Sequence, residues 1–270
     1  MYICTEVHRL VPDFLSPMSE RCAGQTVTSV AAQLPMAFIF DMDGTLIDTH
    51  EALTCAVLAG LRAVGAQPCE SEVRERNKGS PLEELFEAFA AERADAAPER
   101  FDAFVAAFKA NYDACAILPE LCPGVRDGLE ALRREFPSVP FAVATTKPTA
   151  CAVIELAEAK LSEFFPAQRV QGTDPPIKPK PEPDVILEAL RQCRKHGLSS
   201  CLREATTSGW VHFYVGDTER DIQAARAAGA IPICVCYEPQ KREMVESWRG
   251  DAVITDMTQL PAAVAAILGG

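Results

Sequence analysis

The sequence is short of positive charge. Its 270 residues include 26 lysines and arginines against 38 aspartates and glutamates, which gives a net charge of −12. A protein that binds the phosphate backbone of nucleic acids needs a concentrated basic surface, so nucleic acid is not an expected partner. An acidic protein still binds anionic substrates when a few cations and a metal ion are concentrated at one site.

The sequence also lacks a CxxC pair, although it contains 11 cysteines. This absence argues against a zinc ribbon and against a redox motif. Cys234 and Cys236 fall on one face of an apolar run, where buried thiols act as small hydrophobic side chains. A reducing compartment fits these scattered cysteines best.

No apolar run approaches the length of a membrane span, so we expect no membrane partner. The first 35 residues contain Glu6, Asp13 and Glu20 but few arginines, which is poor composition for a transit peptide. We predict that residues 1–35 are an N-terminal extension outside the folded core. The expected location is cytoplasmic, with organellar targeting by the extension left open.

The most informative segment joins an apolar run to two carboxylates. Residues 38–40 are followed at once by Asp41 and Asp43, with Gly44 next. Aspartate is a poor strand residue, and two like charges this close repel unless a positive group lies between them. The pair therefore indicates a site at the tip of a strand. The alternative is the Asp-Gly turn of a hairpin, but residues 47–64 have helical spacing where a second strand would be needed.

The order of predicted elements defines the fold class. Helical patterns fill residues 48–64, 70–77, 81–93 and 98–114, and strands and helices alternate from about residue 125 onwards, with an irregular loop at 197–209. Such alternation implies a parallel sheet with helices on both faces. We predict an α/β fold whose Rossmann-like core comprises residues 36–51 and 119–270. Residues 52–118 form an inserted helical cap.

Four short segments with polar and charged residues follow the predicted strands, at residues 41–45, 144–147, 178–183 and 215–221. The third segment lies on a loop for which the pattern shows no clear strand. In this order, over about residues 37–256, they resemble the motifs of the haloacid dehalogenase-like (HAD) hydrolase superfamily. The resemblance is to members with a helical cap, and residues 41–48 and 145–148 look most like those of phosphoglycolate phosphatases.

The four aspartates of these segments require a cation if they meet. Each carboxylate pair at about 4 Å would cost roughly 4 kcal/mol at an effective dielectric constant near 20. Mg²⁺ is the expected cofactor because it accepts a few carboxylates, keeps its waters and bridges to phosphate. The resemblance implies that Asp41 and Asp217 bind the metal through carboxylates and Asp43 through its backbone carbonyl. Asp221 would help directly or through water.

The resemblance also assigns the chemical roles. Asp41 would be the nucleophile that forms an aspartyl-phosphate, and Asp43 the general acid/base that first protonates the leaving alkoxide and then deprotonates water. Thr145 would donate its hydroxyl to the phosphoryl group. Lys180 would neutralise both the phosphate and Asp41. Lys178 also precedes a proline, but Lys180 better matches the Lys-Pro-x-Pro run of the family.

Further substrate contacts are expected around these residues. Backbone amides near Met42 and Thr146 would add hydrogen-bond donors for the phosphate. Lys147 either reaches the substrate or is an exposed lysine at the start of a helix. Arg76 and Lys78 belong to a cationic loop between two predicted helices, which either faces the site or is an ordinary solvated turn.

Asp43 supplies the acid/base that a phosphate ester requires. We therefore predict a Mg²⁺-dependent phosphatase that acts on a small phosphorylated metabolite, as a monomer or homodimer, and is similar to phosphoglycolate phosphatases. The alternatives are a sugar phosphomutase of the β-phosphoglucomutase type and a non-catalytic binding protein. Mutases of that type typically have a histidine where this chain has Leu53, and a binding protein has no need for Asp43.

Overall fold

The computed structural model describes residues 35–77, 80–90, 98–115, 119–196 and 210–269. Its strands are β1 (Met36–Phe40), β2 (Ile47–Asp48), β3 (Glu120–Leu121), β4 (Phe141–Ala144), β5 (Val170–Gln171), β6 (Val211–Gly216), β7 (Ile231–Val235) and β8 (Ala252–Ile254). In this part of the chain, a parallel sheet of six strands has the order β5-β4-β1-β6-β7-β8. Strand β1 therefore lies near the middle of the sheet.

The described helices are α1 (His50–Ala63), α2 (Glu70–Arg76), α3 (Leu82–Ala90), α4 (Pro98–Cys115), α5 (Val125–Glu135), α6 (Thr149–Glu158), α7 (Asp184–His196), α8 (Glu219–Ala227), α9 (Arg242–Ser247) and α10 (Leu260–Gly269). Short 3₁₀ turns lie at Ala167–Arg169, Pro239–Lys241 and Met257–Gln259. The first four helices fall between β2 and β3. The others follow the strands in alternation, as the sequence predicts.

Both faces of the sheet are buried, which explains the continuous apolar sequence of β1. Because successive side chains of a strand alternate between faces, Phe38 and Phe40 pack on one side with α5, α6 and α10. Ala37 and Ile39 pack on the other side with α7 and α8. This arrangement confirms the predicted α/β fold with helices on both faces of a parallel sheet.

Helices α1–α4, which we call the helical insert, have a hydrophobic cluster of their own. It consists of Val57, Leu58, Leu61, Val73, Leu85, Phe86, Phe89 and Phe104. The two longest helices, α1 and α4, cross where Gly60 faces the ring and backbone of Phe104. The insert starts at His50, two residues before the predicted boundary at 52, and residues 116–118 lie outside the described parts of the chain.

The close crossing at Gly60 yields a stability prediction. A Cβ atom at this position would lie 2.7 Å from Phe104 Cδ2 and 2.9 Å from its carbonyl oxygen. We expect Gly60→Ala to lower the free energy of unfolding by about 1–2 kcal/mol, because overpacking outweighs the gain in helix propensity. Urea unfolding measures the change. Cys55→Ala, at an exposed position of the same helix, is the control and should be nearly neutral; a stabilised Gly60→Ala protein would contradict the prediction.

The ends of the helical insert are joined by a feature that the sequence pattern did not reveal. Ile47 and Asp48 pair antiparallel with Leu121 and Glu120, so the chain leaves and re-enters the core side by side. The prediction that residues 47–64 are wholly helical is wrong at its first residues. Ile47 is buried, and its pairing partner comes from about 70 residues further along the chain, which local periodicity does not reveal.

Four further predictions concern a missing strand, the N-terminal extension and loops, the cysteines and membrane spans. Strand β5 supplies the strand that was not identified before the loop carrying Lys180. The N-terminal extension up to residue 34, Lys78 and the loop at 197–209 lie outside the described residues. None of the cysteines whose side chains are described forms a disulfide. None of the described helices combines the length and the apolar character that a membrane span requires.

Candidate active site

The candidate site lies at the carboxyl edge of the three central strands. Asp41 and Asp43 follow β1, Thr145 follows β4 and Asp217 follows β6. Because β4, β1 and β6 are adjacent and parallel, the loops after them meet at one edge of the sheet. A hydrogen bond from the backbone amide of Asp41 to the carbonyl of Val215, 2.8 Å long, continues the sheet into the site.

Lys180 lies between two buried carboxylates. Its Nζ donates to Oδ1 of Asp41 and Oδ1 of Asp221, each at 2.6 Å. The exposed fractions of the Lys180, Asp41 and Asp221 side chains are 4%, 7% and 0%. Burial alone would lower the pKa of Lys180, but the charges of Asp221 and Asp41 outweigh it and hold the pKa above its ordinary value. The ammonium group is therefore charged when it meets the two carboxylates.

Asp217 adds a third carboxylate. One oxygen from each of Asp41, Asp217 and Asp221 lies within 4.8 Å of the others. Burial raises the pKa of Asp41 well above its usual range, and burial together with the charge of Asp221 raises that of Asp217 to about 7. Thr45 Oγ1 donates a hydrogen bond to Asp217 at 2.8 Å. Three carboxylates facing one ammonium group leave an excess of negative charge, and their hard oxygens suit a divalent cation.

Gly44 allows the loops after β1 and β6 to approach this closely. Its φ angle is 79°, in the left-handed region that a side chain disfavours. A Cβ atom at this position would lie 2.5 Å from Oδ2 of Asp217. Both facts require glycine directly after Asp43, so the Asp-Gly pair serves the site and not a hairpin turn.

Tyr214, on strand β6, is a third hydrogen-bond partner of Lys180. Its hydroxyl lies 3.1 Å from Lys180 Nζ, 3.0 Å from Asp221 Oδ1 and 3.0 Å from the Ala144 carbonyl oxygen. The hydroxyl accepts from Lys180 and donates to one of the other two oxygens. Sequence reasoning missed this residue because it belongs to an apolar strand. The available signal was a phenol within an otherwise apolar stretch of the strand that leads to Asp217.

A second cluster surrounds Lys147, beside Asp43. Lys147 Nζ lies 3.0 Å from Asp43 Oδ1, 2.9 Å from the Tyr112 hydroxyl and 2.5 Å from Glu155 Oε2. Burial would lower the pKa of Lys147, but Asp43, Tyr112 and Glu155 together hold it above its ordinary value. Tyr112 belongs to the helical insert and Glu155 to α6, and neither stood out in the sequence.

A salt bridge also joins the helical insert to the core. Arg220, at the start of α8, makes two hydrogen bonds of 2.7 and 2.9 Å to the carboxylate of Glu84 on α3. Its Nε donates to the carbonyl of Lys180 at 3.0 Å. Arg220 thus contacts both the insert and the loop that carries Lys180. With the Tyr112–Lys147 contact, it ties the insert to the edge of the sheet that carries the carboxylates.

Comparison with known proteins agrees with this architecture. A family model described as haloacid dehalogenase-like hydrolase matches residues 38–235. The chain belongs to this family. Phosphoglycolate phosphatase of Rhodobacter capsulatus is 31% identical over 231 residues, covering 84% of this chain and 96% of that protein. Phosphoglycolate phosphatase 1 of Pseudomonas aeruginosa is 31% identical over 210 residues, covering 77% of this chain and 71% of that protein.

A solved structure of a HAD hydrolase from Entamoeba histolytica, family IA variant 3, has the same fold. It covers 87% of this HAD-like hydrolase and 100% of its own chain, with a TM-score of 0.69 at 23% identity. The matched family model spans residues from β1 to β7 and therefore includes the helical insert. The predicted family is confirmed, and with it the assignment of the protein as a hydrolase.

The remaining predicted residues of this HAD-like hydrolase differ in their burial. Thr145 is fully buried, and its Oγ1 accepts from the amide of Lys147 at 3.2 Å. Met42 is buried within the loop after β1, and Thr146 follows Thr145 in a partly exposed bend. Lys178, the alternative to Lys180, is exposed.

Arg76 is engaged inside the helical insert. Its guanidinium lies 4.6 Å from the centre of the Phe89 ring and donates to the carbonyl of Ala88 at 3.0 Å. A contact of Arg76 with the substrate stays a prediction. The loop that follows Arg76 contains Lys78, which is not described, so the cationic character of this loop toward the site stays a prediction.

Proposed function

We propose that this HAD-like hydrolase is a Mg²⁺-dependent phosphatase that hydrolyses a small phosphate monoester through an aspartyl-phosphate. The observation that carries the proposal is the position of Asp41, whose buried carboxylate lies 2.6 Å from Lys180 beside two further carboxylates. The names of its relatives support the class of phosphoric monoester hydrolases and make phosphoglycolate the first substrate to test.

The metal site would use Asp41 and Asp217 through their carboxylates and Asp43 through its backbone carbonyl. Bound Mg²⁺ would offset the clustered negative charge and accept a phosphoryl oxygen of the substrate. Both carboxylate oxygens of Asp221 accept hydrogen bonds, one from Lys180 and the other from Thr218. Asp221 would therefore act by orienting Lys180 and through water.

The residues of the site would carry the reaction in two steps. In the first, an Asp41 oxygen attacks phosphorus as the bond from phosphorus to the leaving oxygen breaks, and the carboxyl of Asp43 gives its proton to that oxygen. In the second, Asp43 takes a proton from the water that attacks the aspartyl-phosphate, which releases phosphate and restores Asp41. Thr145, Lys180 and the backbone amides of Met42 and Thr146 would hold the phosphoryl oxygens.

The helical insert would act as the cap over this site, with its boundaries near the predicted 52 and 118. The Arg220–Glu84 ion pair and the contact of Tyr112 with Lys147 support this role, because they join the insert to the core next to the carboxylates. A closed cap excludes bulk water and restricts the leaving group to a small molecule. Arg76 and Lys78 would contact that leaving group, and Lys147 would lie beside it through its hydrogen bond to Asp43.

A panel of phosphorylated metabolites that includes phosphoglycolate tests the proposed function. We expect release of inorganic phosphate from at least one member when Mg²⁺ is present. A panel without any release would overturn the proposal. A sugar phosphomutase would instead interconvert two sugar monophosphates, faster with sugar bisphosphate, without free phosphate appearing. A non-catalytic binding protein would do neither.

Metal removal provides a second prediction. We expect EDTA to lower the rate of phosphate release at least about a hundredfold, because a bound cation supplies several kcal/mol of charge stabilisation. The rate is measured after gel filtration, without and with added MgCl₂. Recovery on addition of Mg²⁺ distinguishes metal loss from denaturation, and activity that persists in metal-free buffer would contradict metal dependence.

A further inference from the structure

The side chain of Lys147, in the loop after β4, is surrounded by hydrogen-bond acceptors from three different parts of the chain. The lysine ammonium has three N–H donors, and three acceptors surround it: Asp43, Tyr112 and Glu155. These acceptors come from the loop after β1, from helix α4 of the insert and from helix α6. All three donors are thus directed toward partners, and the flexible lysine is held in one position.

Tyr112 and Glu155 also contact each other. The Tyr112 hydroxyl accepts from Lys147 and donates to Glu155 Oε2 at 3.2 Å. The Tyr112 ring stacks on Phe108 at 5.8 Å between centroids and lies 4.9 Å from Lys147 Nζ. The tyrosine is therefore fixed by its own helix, and the hydroxyl bridges the two charged groups of the core.

The side chains of this cluster are largely shielded from water, so that water does not readily replace a lost partner. The side chains of Lys147, Asp43 and Glu155 are 11%, 19% and 14% exposed. In such a site, removing one hydrogen-bond partner leaves the others poorly satisfied, so that they move to new partners. If Tyr112 or Glu155 is lost, Lys147 keeps two of its three partners, Asp43 and the remaining residue, and shifts toward them. The oxygen of Asp43 nearest the lysine then changes position with it.

We propose that Tyr112 and Glu155 are positioning residues that hold Lys147 against Asp43 and thereby orient Asp43 toward the leaving oxygen. Because Tyr112 belongs to the helical insert, this orientation is complete only when the insert is seated on the core. The role rests on the proposed function, since it concerns the proton that passes from Asp43 to the leaving oxygen as the phosphorus–oxygen bond breaks. Lys147 keeps its protons throughout.

Two substrates of similar size distinguish this role from a general structural one. An alkyl phosphate such as phosphoglycolate leaves as an alkoxide and needs a proton from Asp43. Acetyl phosphate leaves as a carboxylate, whose conjugate acid has a pKa near that of an ordinary carboxyl, about 4 to 5, and needs almost no proton. Misplacing Asp43 therefore slows the first reaction and spares the second. The ratio kcat/KM is the correct readout because it ends with departure of the leaving group.

The variants are Tyr112→Phe and Glu155→Gln. We expect each to lower kcat/KM for the alkyl phosphate about 10- to 100-fold and that for acetyl phosphate less than about 3-fold, because general acid catalysis contributes roughly 10²–10⁴-fold. The double variant should fall little further than the larger single effect, since the two residues act as a unit. Phe101→Leu is the control: it loosens the packing of the same helix against Phe86 and Phe104, at the end of the helix away from Tyr112, and should change both substrates by the same factor.

The possible failures are distinguishable. Equal losses for the two substrates, or no loss, in Tyr112→Phe and Glu155→Gln would overturn the positioning role while the phosphatase function stands. A wild-type protein that hydrolyses acetyl phosphate, phosphoglycolate and every other alkyl phosphate of the panel at no measurable rate would overturn the proposed function and this role together.

Discussion

Replacement of Asp41 by asparagine is expected to lower phosphate release at least about 10⁴-fold, because the variant has no carboxylate to attack phosphorus. The buried position of the group makes the result interpretable. Burial raises the pKa of Asp41 well above its usual range, so its charge opposes folding when no cation is bound. The asparagine protein should therefore remain folded, with a metal-free stability at least equal to that of the wild type.

The measurements are phosphate release, thermal unfolding and the intact mass of protein quenched in acid during turnover. The wild type should show a phosphorylated form, and Asp41→Asn should not. Asp48→Asn is the matched control, since Asp48 is an exposed carboxylate of the same connection and lies outside the site. Undiminished activity of Asp41→Asn would exclude Asp41 as the nucleophile even if the protein proved to be a phosphatase.

The loops that carry Asp41 and Asp217 could be predicted because each directly follows an apolar strand. Local pattern locates such strands well, and parallel order then brings their carboxyl ends to one edge. The position of Gly44 in the loop could be predicted for the same reason. The reason why a glycine is required there could not, because the close approach of Asp217 is a contact across more than 170 residues of sequence. No local periodicity contains that information.

The partners of the charged side chains were beyond sequence reasoning. Lys147 follows Thr145 and Thr146, which suggested either a substrate contact or an exposed lysine, and the structure shows a lysine almost enclosed by Asp43, Tyr112 and Glu155. Tyr112 looked like one residue of an amphipathic helix. Its role depends on how the insert rests on the core, which is fixed by tertiary packing and not by propensity.

Arg220 shows the same limit on the other side of the site. In the sequence it is one charge within Asp217–Asp221, and a solvated position at the start of a helix would explain it. In the structure it holds both Glu84 of the insert and the carbonyl of Lys180. Exposed ion pairs contribute little to stability, so the significance of Arg220 lies in the two segments that it brings together.

Lys180 provides the other prediction with a large effect. Lys180→Met keeps the length and the apolar stem of the side chain but removes the ammonium group from between Asp41 and Asp221. Breaking a buried ion pair from one side costs about 3–5 kcal/mol, because the remaining charges stay buried without compensation. We expect a loss of this size in the metal-free free energy of unfolding. Phosphate release should fall about 10³-fold, since a positioned cation no longer faces the phosphoryl oxygens.

Lys178→Met is the control. Lys178 lies two residues before Lys180 and is also followed directly by a proline, but its side chain is exposed. It should leave both stability and activity within experimental error. Urea unfolding without metal and steady-state phosphate release measure the two effects separately. If Lys180→Met were as stable as the wild type, Asp41 and Asp221 would have to share a proton in place of the lysine charge. If stability fell but activity did not, Lys180 would serve the fold of the site alone, and the phosphoryl group would depend on Thr145 and the backbone amides.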